Sequence, residues 1–287
     1  MVRIVVAGKG ALFKFVTDKF YKNNLIKLVG VCDLDSRCIE ECIENNVPTV
    51  NTIERLLKYD FDICFLCEYP LILPKEICDE YLIVNSHGGL LPKYKGFHGN
   101  VWALINNEES IGYTLHVVTE DFDSGPIIYQ KKIKTGEIKT YSELKEIFML
   151  DWKENIDEIL INFFNNGLKS TPQDECESLY VGRRNIDDCQ INWSWSTLRI
   201  YNTIRALSPP FTPGAFVIYK ESKLYFTKAI FVKMCSYYET PGKIVNHIKG
   251  SGVLVKTGDS AILITELVYL GKIYNASKFF KTTGARL

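Results

Sequence analysis

Two short strings hold the residues best equipped for chemistry. The first, Asn85-Ser86-His87-Gly88-Gly89-Leu90-Leu91-Pro92, follows the apolar run Tyr81-Leu82-Ile83-Val84. The second is Thr119-Glu120-Asp121-Phe122-Asp123-Ser124-Gly125-Pro126. An amide such as Asn85 can donate an N–H to a developing oxyanion, a contact worth roughly 10²–10³ in rate. An imidazole has an ordinary pKa of about 6.5 and carries a proton near neutral pH, worth roughly 10²–10⁴ as a general acid or base. A carboxylate such as Asp123 can orient or charge-pair that imidazole and position a water. Asn85 and His87 lie two apart at a strand end, so they project from one face. Gly88 and Gly89 let the backbone turn closely around what those side chains hold. Taken singly, each of these residues would mean little.

The elements that must position them follow from hydrophobic pattern. Residues 3–7 form an apolar run ending at Gly8-Lys9-Gly10, and a helix follows with Leu12, Phe15, Val16 and Phe20 on one face. Leu28 to Cys32 is the next strand, ending at Asp33; Cys38 to Asn45 reads as an acidic helix, Pro48 to Val50 as a strand, Ile53 to Tyr59 as a helix and Ile63 to Cys67 as a strand. Strands apolar throughout, alternating with helices, predict an α/β, Rossmann-like domain with a parallel-rich sheet covered on both faces. Ligands of such sheets bind outside the carboxyl ends of the strands, where Gly8, Asp33, Glu68 and Asn85 all fall.

Gly8-x-Gly10 invites a dinucleotide reading, but the third position of that fingerprint is Phe13, where close packing asks for Gly or Ala. The turn suits a phosphate instead, held by backbone N–H groups with Lys9 beside them; a plain tight turn is the competing reading. Farther on, Asn100 to Asn107 reads as a helix, Gly112 to Val118 as a strand, Ile127 to Gln130 as the start of another, and Tyr141 to Phe164 as one long helix stopped by Gly167. His116 falls inside a strand and is expected to be structural.

The boundaries place a catalytic domain at residues 1–181, a linker with a short helix at 182–205 and a β-rich domain at 206–287. Pro209, Pro210 and Pro213 exclude helix, and five β-rich runs follow at 215–219, 223–232, 243–248, 252–257 and 261–270. Their count and spacing suggest a small OB-like barrel.

Bulk properties narrow the function classes. With 287 residues, 46% hydrophobic and 24% charged, the chain has the makeup of an ordinary globular protein with room for two cores. Lys+Arg and Asp+Glu total 34 each, so no overall charge draws it to nucleic acid or anionic membrane. From Ala206 onward 11 Lys/Arg face 4 Asp/Glu, a net of +7 that leaves −7 for residues 1–205. The basic end therefore favours an anionic partner. Nine cysteines, including Cys38 and Cys235, sit in apolar or helical context and point to reduced thiols in a cytoplasm. Cys64-x-x-Cys67 lies inside an apolar strand and is expected to be core. The N-terminal apolar run is too short for a signal peptide, and no run of about 18 apolar residues predicts a membrane span. No zinc-type His or Cys spacing is present, so no metal is expected.

The two strings resemble the formyltransferases that use 10-formyltetrahydrofolate, which share an Asn-x-His followed by a Leu-Leu-Pro loop and a later Asp-x-Gly. The resemblance covers nearly the whole chain. It implies formyl transfer to an amine, with Asn85 donating to the oxyanion, His87 carrying the proton and Asp123 orienting His87. It also implies that the loop Tyr69-Pro70-Leu71-Ile72-Leu73-Pro74-Lys75 lines a pterin pocket, so Leu71, Ile72, Leu73, Val118, Thr119, Glu120 and Asp123 are the expected folate-binding residues. Methionyl-tRNA formyltransferases carry a basic insertion after the second strand. Here Asp33-Leu34-Asp35-Ser36-Arg37-Cys38-Ile39-Glu40-Glu41 runs straight into an acidic helix that would repel a tRNA backbone. Gly182-Arg183-Arg184 through Asp188, Ile204-Arg205-Ala206-Leu207 and Pro213-Gly214-Ala215-Phe216 are similar to the nucleotide-sugar N-formyltransferases, which act on dTDP-, UDP- or GDP-linked 3- or 4-amino sugars for surface polysaccharides such as lipopolysaccharide O-antigen. The expected partners are then folate and a nucleotide-linked amino sugar, met by Gly8, Lys9, Gly10, Lys75 and His98, with nucleic acid and membrane disfavoured and a homodimer left open. Gly89 departs from the Ser of many members. A tRNA formyltransferase and a folate-dependent formyl hydrolase are the alternatives.

Overall fold

The computed structural model describes residues 1–36, 39–137, 140–210, 214–232 and 236–287. Arg37, Cys38, Pro213 and Cys235, which enter the reading above, lie outside them. Two compact units are present: residues 1–100, 112–133 and 146–182 make the first, and 101–111, 134–145 and 183–287 the second.

The first half of the chain alternates as its pattern requires. Strand β1 (Val2–Gly8) leads to helix α1 (Gly10–Tyr21), then β2 (Ile26–Asp33), α2 (Ile39–Glu44), β3 (Thr49–Val50), α3 (Ile53–Leu56), β4 (Ile63–Cys67), α4 (Lys75–Glu80) and β5 (Ile83–His87). Next come the two-residue β6 (Lys95–Gly96), α5 (Gly99–Ile105), β7 (Ser110–Val117), β8 (Ile127–Lys134) and the long α6 (Tyr141–Asn165). The main sheet has the order β3-β2-β1-β4-β5-β7-β8. Its first five strands pair in parallel, and β7 runs antiparallel to β5.

Both faces of the parallel part of this sheet are covered, which is why Ile4 to Ala7 of β1 and Ile63 to Cys67 of β4 are buried apolar runs, whereas the edge strand β8 carries Gln130, Lys131, Lys132 and Lys134. Val5, Ala7, Cys64, Leu66 and Ile83 pack with Ile53, Leu56, Leu57 and Leu73 in one cluster. Elsewhere Phe65 meets Phe20 of α1 and Trp152 of α6, each at 6.0 Å between ring centroids. Each such side chain stabilises the fold by roughly 1.5–3 kcal/mol on burial. Cys64 and Cys67 are fully buried thiols of β4, and burial pushes the Cys64 thiol up.

A short strand β9 (Tyr180–Val181) pairs in parallel with β6. In the second unit, α7 (Thr197–Ala206) is capped by Ser196, whose hydroxyl accepts from the Arg199 N–H at 3.3 Å. Strands β10 (Ala215–Tyr219), β11 (Ser222–Ile230), β12 (Ile244–Ile248), β13 (Gly252–Lys256), β14 (Ala261–Tyr269) and β15 (Lys272–Asn275) form an antiparallel sheet ordered β10-β11-β14-β13-β12, with β15 against β14. A final turn of helix, α8, spans Ala276–Phe279. Sequence pattern anticipates five of these strands; β15 is the addition.

Candidate active site

The site grows from the carboxyl end of β5. Ile83 and Val84 are buried in the sheet, and the alternation brings Asn85 and His87 out on one side. Because β7 runs antiparallel, Asn85 stands opposite His116 and His87 opposite Thr114. Cross-strand partners project to the same face, so register alone carries His116 to the same place.

The turn after β5 is pinned from several directions. The Thr114 hydroxyl donates to the Gly89 carbonyl at 2.7 Å and accepts from the Leu91 N–H at 3.1 Å. The Gln130 amide donates to the Leu91 carbonyl at 2.7 Å, and the Asn100 N–H to the Gly88 carbonyl at 2.8 Å. Gly89 matters sterically: a Cβ there would lie 2.8 Å from His87 Nε2. In this chain the imidazole occupies the space into which a Cβ at that position would project.

Asp123 arrives from the loop between β7 and β8 with φ of 52°, a conformation that costs a non-glycine residue on the order of 1–3 kcal/mol. Gln173 donates from one amide nitrogen to the carbonyls of Asp123 at 2.8 Å and Gly125 at 2.7 Å. Lys95, with no exposed surface, donates to Ser124 Oγ at 2.8 Å and to both oxygens of Glu175 at 2.8 Å. These clasps over-determine the strained loop. Neither was anticipated from sequence, since they join segments 29 to 80 residues apart.

Asn85, His87 and Asp123 therefore meet. Asp123 Oδ2 lies 3.2 Å from His87 Nδ1 and accepts from the Gly96 N–H at 2.9 Å. Its Oδ1 lies 3.4 Å from His116 Nε2 and 3.5 Å from Asn85 Nδ2. His87 Nε2 lies 2.9 Å from the Tyr94 carbonyl. His87, His116 and Asp123 are all buried. Burial alone would push the Asp123 carboxyl up; its contacts with the His116 and His87 rings outweigh that and hold it well below the usual carboxylate range. His116, expected to be structural, belongs to this cluster. Its only sequence signal is Thr114-Leu115-His116, two polar residues in strand alternation.

The remaining candidates sort by surroundings. Leu71 and Ile72 are exposed at 63% and 69%, whereas Leu73 is buried in the core cluster, against which Val118 also packs. Lys75 forms ion pairs with Glu120 at 3.1 Å and Asp79 at 3.3 Å. The two strings expected to meet folate are thus tied by the Lys75–Glu120 ion pair, and Leu73 and Val118 share one core cluster. The Thr119 hydroxyl caps its own loop by donating to the Asp121 carbonyl. His98, exposed with φ of 62°, immediately precedes α5. At the β1–α1 turn the Gly10 N–H donates to Asp35 Oδ2 at 3.0 Å and the Lys9 N–H to the Cys67 carbonyl at 3.3 Å. A phosphate there would have to displace Asp35 and would meet Glu68 next to Gly10. Among the described residues no group of three or more His, Cys, Asp or Glu side chains is arranged to hold a metal ion, and no helix is long and apolar enough to cross a membrane.

Comparison with known proteins gives a consistent picture. Residues 35–151 match the family model described as formyl transferase, and residues 185–284 match formyl transferase, C-terminal domain. The methionyl-tRNA formyltransferase of Fusobacterium nucleatum is 30% identical over 218 residues, 74% of this chain and 69% of that one. The bifunctional polymyxin resistance protein ArnA of Wigglesworthia glossinidia brevipalpis is 34% identical over 203 residues, 70% of this chain and 31% of that one. Among solved structures, the sugar 3N-formyl transferase WlaRD, determined with dTDP and 5-N-formyl-THF, superposes with a TM-score of 0.73 at 23% identity, covering 95% of this chain and 99% of that one.

Proposed function

The chain belongs to the formyl transferase family, and from that premise we propose that it moves a formyl group from 10-formyltetrahydrofolate to the amine of a nucleotide-linked amino sugar. What carries the chemistry is the meeting of Asn85, His87 and Asp123 at the end of β5. The acceptor amine attacks the formyl carbon, the carbon–nitrogen bond to the donor breaks, and one proton passes from the amine to the leaving nitrogen. Asn85 would give an amide N–H to the developing oxyanion, in a setting where one such donor is worth roughly 10²–10³. His87 and Asp123 would move the proton. Both ring nitrogens of His87 face acceptors, Tyr94 O and Asp123 Oδ2, and a ring bearing both protons satisfies both. His87 would return a proton to the leaving nitrogen while Asp123 balances its charge.

The folate donor would lie against Leu71 and Ile72 and the backbone of Val118, Thr119 and Glu120, with Leu73 behind them in the core. Two exposed aliphatic side chains beside a polar loop suit a flat heterocycle that needs apolar cover and a few hydrogen bonds. Lys75 would meet the diphosphate of the acceptor, and His98 its sugar.

For the acceptor, the supporting observation is the exit of β2. Asp33, Asp35 and the α2 residues Glu40, Glu41 and Glu44 make it acidic, where a basic surface would be needed for a tRNA backbone. A second reading, methionyl-tRNA as acceptor, has support in the relatives of that name and in the net +7 of residues 206–287. Incubation with 10-formyltetrahydrofolate and either a panel of dTDP-, UDP- and GDP-linked 3- and 4-amino sugars or charged initiator tRNA separates the two. The mass gain of one CO on a nucleotide sugar is the expected outcome. Formylation of the tRNA alone would overturn it.

A further inference from the structure

We propose that His116 is a positioning residue that fixes which end of the Asn85 amide meets the reacting formyl group. This deepens the reading above and rests on it. His116 is 2% exposed, and its Nδ1 lies 2.9 Å from the Val117 carbonyl. A carbonyl oxygen only accepts, so Nδ1 carries the proton, and in the neutral ring Nε2 is then an acceptor. Two groups lie near that Nε2: Asn85 Nδ2 at 3.1 Å and, farther off, Asp123 Oδ1 at 3.4 Å. The amide is the nearer of the two, and an acceptor facing it requires its nitrogen end, not its oxygen.

The two amide hydrogens are then held unequally. One donates to His116 at 3.1 Å; the other reaches Asp123 Oδ1 only at 3.5 Å, the outer edge of hydrogen bonding. The loosely held N–H is the one that can turn to an oxyanion while its twin stays anchored. Without the His116 acceptor, the amide is free to rotate and present its oxygen, which would repel the developing charge. Second contacts of this kind hold catalytic groups in productive geometry.

Five measurements test the assignment. Asn85→Ala establishes that the amide contributes at all. His116→Phe removes both ring nitrogens at similar volume and should lower kcat by up to about 10²-fold, with KM for both substrates nearly unchanged. His116→Gln restores an acceptor near the Nε2 position and should recover most of the loss. The double variant Asn85→Ala/His116→Phe should lose less than the product of the two single losses, because His116 acts largely through the amide. Wild-type kcat in folded His116→Phe, or losses that multiply in the double variant, would overturn the inference while leaving the formyltransfer site intact. An inert Asn85→Ala would overturn both. Nitrogen-15 spectra of the wild-type histidines need no variant to fold: an unprotonated Nε2 on His116 supports the proposal, and a protonated one sinks it.

Discussion

Two glycine turns stand at the carboxyl ends of strands in one sheet, and they hold opposite chemistries. After β5, Gly88-Gly89 closes around the His87 imidazole, which a Cβ on Gly89 would approach to 2.8 Å. After β1, Gly10 sits with φ of 82° against the Glu68 carboxylate while its N–H binds Asp35. The first turn gathers two imidazoles and an amide around one carboxylate; the second gathers carboxylates. A place at the sheet mouth is common to both, so position marks where ligands can bind and composition decides which of those places can move a proton.

His87→Ala should break the first turn most severely, lowering kcat by roughly 10²–10⁴ with folate affinity retained, as read by single-turnover formylation and equilibrium binding. Retained turnover would mean the imidazole only fills space. Next in size is Gly89→Ala, whose Cβ must push His87 off the Tyr94 carbonyl; a kcat loss of about 10-fold is expected, and full activity would show that the ring has room to adapt. Acid unfolding gives a third test. Asp123 is depressed in the folded state, so its stabilisation is complete above the unfolded value of about 3.9 and is lost as pH falls below it. Asp123→Asn should therefore flatten the fall of stability with pH in that acid range, and an unchanged slope would show that the imidazoles do not hold the carboxylate.

The second turn should respond in stability. Gly10→Ala combines a left-handed backbone with a clash at Glu68 and is expected to cost on the order of 1–3 kcal/mol, measured by urea denaturation, with KM for the acceptor unmoved. A rise in KM would place the acceptor at this turn after all and erase the contrast. The smallest effect is assigned to Lys75→Ala. Breaking its exposed pairs with Glu120 and Asp79 should cost little stability, while KM for the nucleotide sugar rises about 2- to 5-fold if the ammonium meets the diphosphate.

Much of this contrast was legible in the sequence. The apolar runs at 3–7, 28–32 and 63–67 specify a covered parallel sheet, and Asn85-x-His87 with Asp123 names the residues that meet. His116 was not legible, because its partnership depends on the antiparallel register of β7 against β5, which no local pattern encodes. The carboxylates around Gly10 were equally hidden: Asp35 and Glu68 are recognisable as strand-end acids, yet nothing local shows that they turn onto Gly10. The run Leu71-Ile72-Leu73 read as one apolar string, but its Pro-bracketed backbone turns two residues outward and buries the third. β15 was missed because Lys272-Ile273-Tyr274-Asn275 is short, follows Gly271, and gains its strand character only from β14.

The clasp built by Gln173, Lys95 and Glu175 has a practical corollary for anyone dissecting this chain. A fragment ending with α6 would retain every reacting group and every strand of the main sheet. It would nevertheless release the carbonyls of Asp123 and Gly125 from Gln173, and the buried ammonium of Lys95 from its counter-ion. The shortest excised piece that keeps its acid in register must therefore run past Val181, where β9 closes onto β6.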